Sequence, residues 1–170
     1  MENSEFREIH SEQITINPFT LIGEGWMLIT AGTLSAYNTM TASWGGFGYL
    51  WEKNVCFCVI RPQRYTREFV EKSAYFTLSY FAEKYRNVLE FCGYHSGRKV
   101  NKAIATGLTP VENPSGVVYF NEAHLVIVGK KIYFQDLQPQ NFLDAGIARF
   151  YPKQDYHRMF IGEVIKCLTK

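Results

Sequence analysis

The run Val55-Cys56-Phe57-Cys58-Val59-Ile60 carries no polar side chain on either face. So short and so apolar a segment reads as a strand buried on both sides, because successive side chains of a strand point to opposite faces. Other elements must therefore cover it from two directions. Trp26 to Ala31, bounded by glycines, reads as a second strand, and Tyr75 to Phe81, rich in aromatic and hydroxyl side chains, as a third. Val117 to Phe120, His124 to Val128 and Lys130 to Phe134 follow as successive strands with Gly129 as a bulge or bend, and His157 to Leu168 alternates loosely around Gly162. Helical spacing is confined to short pieces. Thr66 to Ser73 opens on a capping residue and pairs Glu68 with Lys72 at i,i+4. Tyr85, Val88, Leu89 and Cys92 form one apolar stripe, and Val100, Ala103 and Ile104 begin another that Gly107 ends. Gln138 to Phe142 adds one helical turn. Short strands with helices inserted between them predict a mainly β chain, a closed antiparallel β-barrel with peripheral α-helices, since closure removes exposed strand edges.

Composition supports one core. The chain has 170 residues, 46% hydrophobic and only 20% charged, which excludes a disordered or linker protein. With no repeat or low-complexity tract, residues 1–170 read as a single domain, with residues 1–12 and the Glu112–Gly116 turn as its loosest parts. Met1 to His10 is polar and acidic, unlike a signal peptide, and no apolar run approaches the roughly 18 residues of a membrane span. A net charge of +2 gives no electrostatic case for nucleic acid or an anionic membrane. Cys56 and Cys58 would share a strand face and read as small hydrophobes in preference to zinc ligands, so no metal site is expected. Undemanding cysteine usage and the blocked sequon Asn113-Pro114-Ser115 fit a cytoplasmic protein.

The common signatures of chemistry are missing. Gly45-Gly46-Phe47-Gly48 lacks the third glycine and following helix of a dinucleotide fingerprint, and there is no P-loop, H-E-x-x-H or G-x-S-x-G. The histidines at 10, 95, 124 and 157 have no metal-ligand spacing. Three segments remain. Asn38-Thr39-Met40-Thr41-Ala42-Ser43-Trp44-Gly45-Gly46 joins small hydroxyl and amide side chains to glycines and a tryptophan. It reads either as a polar loop or as extended backbone offering N–H and hydroxyl groups to an anion or a heteroaromatic edge. Arg61-Pro62-Gln63-Arg64-Tyr65-Thr66 follows the buried strand and opens a helix, so it is either a phosphate cradle or plain surface charge. Ser96-Gly97-Arg98-Lys99 lies between two helices, as a further cationic contact or a solvated turn.

Together these segments resemble the flavin reductase-like family, in particular its flavoredoxin-type branch. Leu50-Trp51, Phe91-Cys92-Gly93, Gly107-Leu108-Thr109-Pro110 and Tyr156 to Val164 extend the resemblance from Trp26 to Val164. It implies an FMN-binding split barrel, paired as a homodimer, with FMN held non-covalently and NADH or NADPH as electron donor. The function implied is an FMN-binding, NAD(P)H-dependent flavin reductase-like oxidoreductase. The alternative is a flavoredoxin-like electron carrier that exchanges electrons with a redox protein partner and has no NAD(P)H turnover of its own. A scaffold without redox turnover is a third reading. Flavin carries its own reactivity, which accounts for the missing triad or carboxylate dyad. The resemblance places Arg61, Arg64 and Thr66, with the hydroxyls of Thr39 and Thr41, around the phosphate, and counts Asn38, Met40 and Tyr65 among the cofactor-binding residues. It places the backbone of Thr41, Ala42 and Ser43 at the ring edge, Trp44 and Phe81 against its faces, and Ser96, Gly97 and Lys99 closing the site. His157 reads as a group approaching the nicotinamide, as a redox-sensing group titrating near neutrality, or as a satisfied strand histidine. The doubly apolar strand and the aromatic content of 16% support the homodimer expectation.

Overall fold

A computed structural model describes residues 5–170. In chain order its elements are β1 (Arg7–Ile9), α1 (Pro18–Gly23), β2 (Met27–Thr33), β3 (Ala36–Ala42), β4 (Gly45–Leu50), β5 (Lys53–Ile60), α2 (Tyr65–Lys72) and β6 (Tyr75–Tyr80). There follow α3 (Arg86–Tyr94), α4 (Lys102–Thr106), β7 (Pro110–Glu112), β8 (Val118–Phe120), β9 (Leu125–Asp136) and β10 (Arg158–Thr169). Strands are antiparallel throughout, in the order β3-β2-β6-β9-β10-β5-β4, with β1 beside β5 on the same edge of β10; β7 and β8 form a separate pair.

The sheet is not closed. β3 and β4 end the order and are not hydrogen-bonded to each other, although only Ser43 and Trp44 separate them in sequence. The expected closed barrel is thus corrected to an open antiparallel sheet. The inner core is covered instead by helices: α1 contributes Leu21 and Ile22 and α2 contributes Val70, all packed with Met27, Ile29, Phe76, Leu78 and Ile127. Asn17 caps α1, its side chain accepting from the Phe19 N–H, with Pro18 in the first turn. The alternate residues Leu28, Val126 and Val128 face a second core built with Leu89 and Cys92 of α3, Ala103 of α4, and Phe120. Period-two alternation on the central strands thereby feeds two cores.

The expected helices are present at α2, at α3 after a short turn Glu83–Tyr85, and at α4, where Asn101 caps the start and Gly107 (φ 74°) ends it in the left-handed conformation. The two strands expected either side of Gly129 are one, β9. Its irregularities against β10 fall between Ile161 and Gly162 and between Val164 and Lys166. The second lies where Gly129 and Val128 pair with Val164 and Lys166, so the expected irregularity at Gly129 is present, and Gly129 and Gly162 have a further role. A Cβ on either would come within 2.9 Å of the Phe76 ring, so both residues make room for that fully buried aromatic. The N-terminal segment is also better fixed than expected. Within the described residues, Arg7–Ile9 pairs with β10, and the Asn54 side chain donates to Ser11 Oγ (2.8 Å) and to the Glu12 carboxylate. No helix of the described residues is long and apolar enough to cross a membrane.

Candidate functional site at the open edge

The C-terminal end of β3, the turn that follows, and the chain after β5 enclose a cleft of about 500 Å³. Its floor is Met40, Thr41, Ala42 and Ser43, with Val59 and Leu89 as apolar contacts. Trp44, Trp26 and Tyr94 give it aromatic walls, and Arg61, Gln63, Arg64 and His157 give it polar ones. Because β3 pairs only with β2, the main-chain groups on its other edge are not used in the sheet. The gap that leaves the sheet open therefore supplies the free backbone donors of the site.

The two arginines differ in circumstance. Arg61 follows the end of β5. Its Nη1 donates to Asp155 Oδ2 (2.6 Å) and its Nη2 to the Phe150 carbonyl (2.8 Å), while the guanidinium lies 5.1 Å from the centre of the Tyr151 ring. Gln63 Nε2 donates to the same carboxylate oxygen at 2.7 Å. Hydrogen bonds from Arg61 and Gln63 hold the Asp155 carboxyl below its ordinary range. Arg64, the residue preceding α2, has only carbonyl partners: Gly93 O at 2.6 Å and Thr41 O at 3.4 Å. No carboxylate of the described residues pairs with it. Burial, and then the charge of Arg61, push its pKa down.

A third cation lies behind this wall. Lys102 is only 5% exposed, and its Nζ donates to the carbonyls of Thr39 and Cys92, each at 2.7 Å. Burial lowers its pKa to about 8; Cys92 opposes that shift and Arg64 adds to it. The folded chain thus binds fewer protons than the unfolded one between pH 8 and 10.5, so this group makes stability rise with pH across that window and fall as the pH drops to 8. Denaturant titrations over that range should show this slope in the wild type and a flatter one in Lys102→Met. Equal slopes would contradict the burial of an ammonium group here.

The expected residues are divided by the structure. Met40, Thr41, Ala42, Ser43, Trp44, Arg61, Arg64 and His157 line the cleft. Asn38, Thr39, Gly97 and Lys99 line a neighbouring polar hollow, together with Lys102. Thr66 is buried inside α2, its hydroxyl accepting from Asn38 Nδ2 at 2.8 Å, so it is spent on structure, and the helix begins one residue earlier, at Tyr65. Tyr65 packs edge-on against Phe69 and under the Arg98 guanidinium. Phe81 is buried against Tyr85 and Phe120, away from the cleft, and Ser96 accepts from the Arg98 N–H in an exposed turn. His157 is buried, and its pKa falls to about 4, by burial first and then by Arg61, which favours the neutral ring. Sequence reading missed Lys102, Asp155, Gln63, Trp26 and Tyr94. Two of these had a signal: Gln63 lies inside the Arg61–Thr66 motif, and Lys102 is a cation in the first turn of the predicted short helix.

No group of three or more potential metal ligands occurs among the described residues. All four cysteines are free and buried. Burial raises the Cys56 and Cys58 thiols well above their ordinary range, which makes them inert packing groups.

Residues 19–170 match the flavin reductase like domain. The chain belongs to that family. Solved structures share its fold. An FMN-binding domain of a flavin reductase-like enzyme from Shewanella baltica is 20% identical (TM-score 0.70), the match covering 97% of this chain and 77% of that one. The flavoredoxin of Desulfovibrio vulgaris is 19% identical (TM-score 0.67; 96% of this chain, 76% of that one). An NADH:FAD oxidoreductase of Streptomyces globisporus is 15% identical (TM-score 0.66; 86% and 75%). No curated protein matches the sequence.

The latch between Arg61 and Asp155 has a direct consequence. It ties the long segment between β9 and β10 over one wall of the cleft, assisted by the edge contact of Phe150 with Trp44. Asp155→Ala should make residues 137–157 more readily cleaved in limited proteolysis under native conditions. An unchanged cleavage pattern would show that the latch does not hold the segment.

Proposed function

We propose that this family member binds FMN non-covalently in the cleft at the open end of β3 and uses it as an NAD(P)H-dependent oxidoreductase. Arg64 carries the reading: a half-buried guanidinium with no carboxylate partner among the described residues, opening on a cleft with aromatic walls. A cation so placed calls for an anion, and phosphate matches a guanidinium fork. The chain's residues fit the group. Arg64 would hold the phosphate with Arg61 as a partly neutralised neighbour, the backbone of Thr41 to Ser43 would meet the polar edge of the ring, and Trp44 would bound its face. FMN, when bound, supplies hydride acceptance and electron transfer. The protein positions the ring, keeps donors at the edge where negative charge develops on reduction, and restricts water with Trp26 and Trp44.

The fold similarity includes both a flavoredoxin and an NADH:FAD oxidoreductase, which keeps an electron carrier as the second reading. NADH and NADPH oxidation by the FMN-loaded protein separates them: turnover with either nucleotide supports the oxidoreductase, and none with both supports the carrier. A homodimer is part of the proposal. Tyr49, Leu50 and Trp51 at the β4–β5 turn, with Tyr133 and Phe134 on β9, leave large apolar side chains exposed, and Trp51 packs edge-on with Tyr133. Light scattering should give twice the monomer mass at micromolar concentration; a monomer contradicts this.

A further inference from the structure

Tyr151 and His157 form a pair whose hydrogen-bond arithmetic decides what the cleft offers a ligand. The Tyr151 hydroxyl lies 2.8 Å from His157 Nδ1 and has no other hydrogen-bond partner among the described residues. Tyr151 is 6% exposed, so a hydroxyl proton not given to Nδ1 would be left without an acceptor. An unmet buried donor costs more than a net hydrogen bond gains, and a neutral imidazole has one donor and one acceptor nitrogen. Tyr151 therefore donates, Nδ1 accepts, and the ring proton resides on Nε2. His157 Nε2 has no partner among the described residues, yet it is not sealed away. The buried side-chain atoms without partners are Ser79 Oγ, Tyr80 Oη, Arg86 Nη1 and Asp155 Oδ1. His157 lines the cleft beside Trp44, with ring centroids 5.0 Å apart.

We infer that Tyr151 is a positioning residue that fixes His157 as the Nε2–H tautomer, making it a neutral hydrogen-bond donor to an acceptor oxygen or nitrogen on the edge of a planar ring bound in the cleft. The ligand contact rests on the flavin reading above; the tautomer does not. The surroundings keep the ring uncharged. Burial, Arg61 and Arg64 oppose protonation and Asp155 favours it; Tyr151 packs on the ring, Tyr156 packs on Tyr151, and the exposed Glu90 and Tyr94 share the cleft. His157 thus keeps its donor across the physiological range, and its role is to orient the ring, with no proton carried.

Long-range proton–nitrogen correlation spectra of the nitrogen-labelled wild type at pH 7, without ligand, test the tautomer, the signal being assigned by its loss in His157→Gln. The expected result is a proton on Nε2, unchanged from pH 5.5 to 8. A proton on Nδ1, or an imidazolium at pH 7, overturns the inference. Tyr151→Phe should release the lock and give mixed tautomers, with FMN affinity weakened roughly two- to tenfold, as for one neutral hydrogen bond. FMN added to the wild type should move the Nε2–H resonance. If FMN quenches its fluorescence on binding but leaves that resonance in place, the ligand contact is wrong and the flavin reading stands. If FMN does not bind while the Nε2–H tautomer is present, the flavin reading fails and the tautomer assignment stands.

Discussion

Arg64→Ala should weaken FMN binding by roughly ten- to a hundredfold, the loss of one charge-assisted contact, and barely change riboflavin binding. The contrast follows from charge: the phosphate of FMN carries nearly two negative charges, and riboflavin has none to lose. Arg61→Ala should have the smaller effect on FMN, because Asp155 already neutralises Arg61 at 2.6 Å whereas Arg64 meets only carbonyl oxygens. Arg64→Lys should recover part of the affinity, since it keeps the charge and loses the planar fork. Fluorescence titration of both flavins into the wild type and the three variants measures this. Equal losses for FMN and riboflavin in Arg64→Ala would mean that the arginine supports the Gly93 and Thr41 carbonyls and not a phosphate.

The second large effect is on stability. Phe76→Ala should cost about 3–5 kcal/mol in denaturant unfolding, a large share of the 5–15 kcal/mol typical of a whole domain. Phe76 is fully buried at the centre of the sheet, its ring seated over two glycines of adjacent strands. The reciprocal change, Gly162→Ala, sets a Cβ 2.8 Å from that ring and 3.0 Å from the Gly129 Cα, where the neighbour is partly backbone and cannot swing aside. It should cost about 1–3 kcal/mol by overpacking. The two effects should not add, because the smaller side chain at 76 removes the clash. Additive losses in the double variant would show that the glycine serves the strand irregularity beside it and not the ring.

The fold was most legible where burial and polarity agree. The strand at Val55–Ile60 and the stripe of α3 carry apolar side chains where they are buried, so periodicity finds them. β3 was half hidden. Asn38 and Thr39 are buried but polar, and they are satisfied by Thr66, Thr30 and the Ile29 carbonyl, partners that no local pattern reveals. Closure was misread for a related reason. Strand lengths indicate how many strands exist, whereas the pairing of β3 with β4 depends on the angle at Ser43-Trp44, and α1 and α2 cover the core where the wall is missing. Within the site, Met40 to Trp44 and Arg61 with Arg64 come together as the motifs implied. Thr66 and Phe81 do not, because a hydroxyl and an aromatic ring serve a core as readily as a ligand. Asp155 is paired with Arg61 across 94 residues, a distance over which sequence carries no sign of the contact.

If the cleft beside β3 holds the phosphate and ring of a flavin, equilibrium titration of FMN into the purified wild-type protein, read by flavin fluorescence alongside riboflavin, will show it. Saturable binding of FMN with a clear preference over riboflavin is the expected result; no saturation by FMN, or equal affinity for the two, would contradict it.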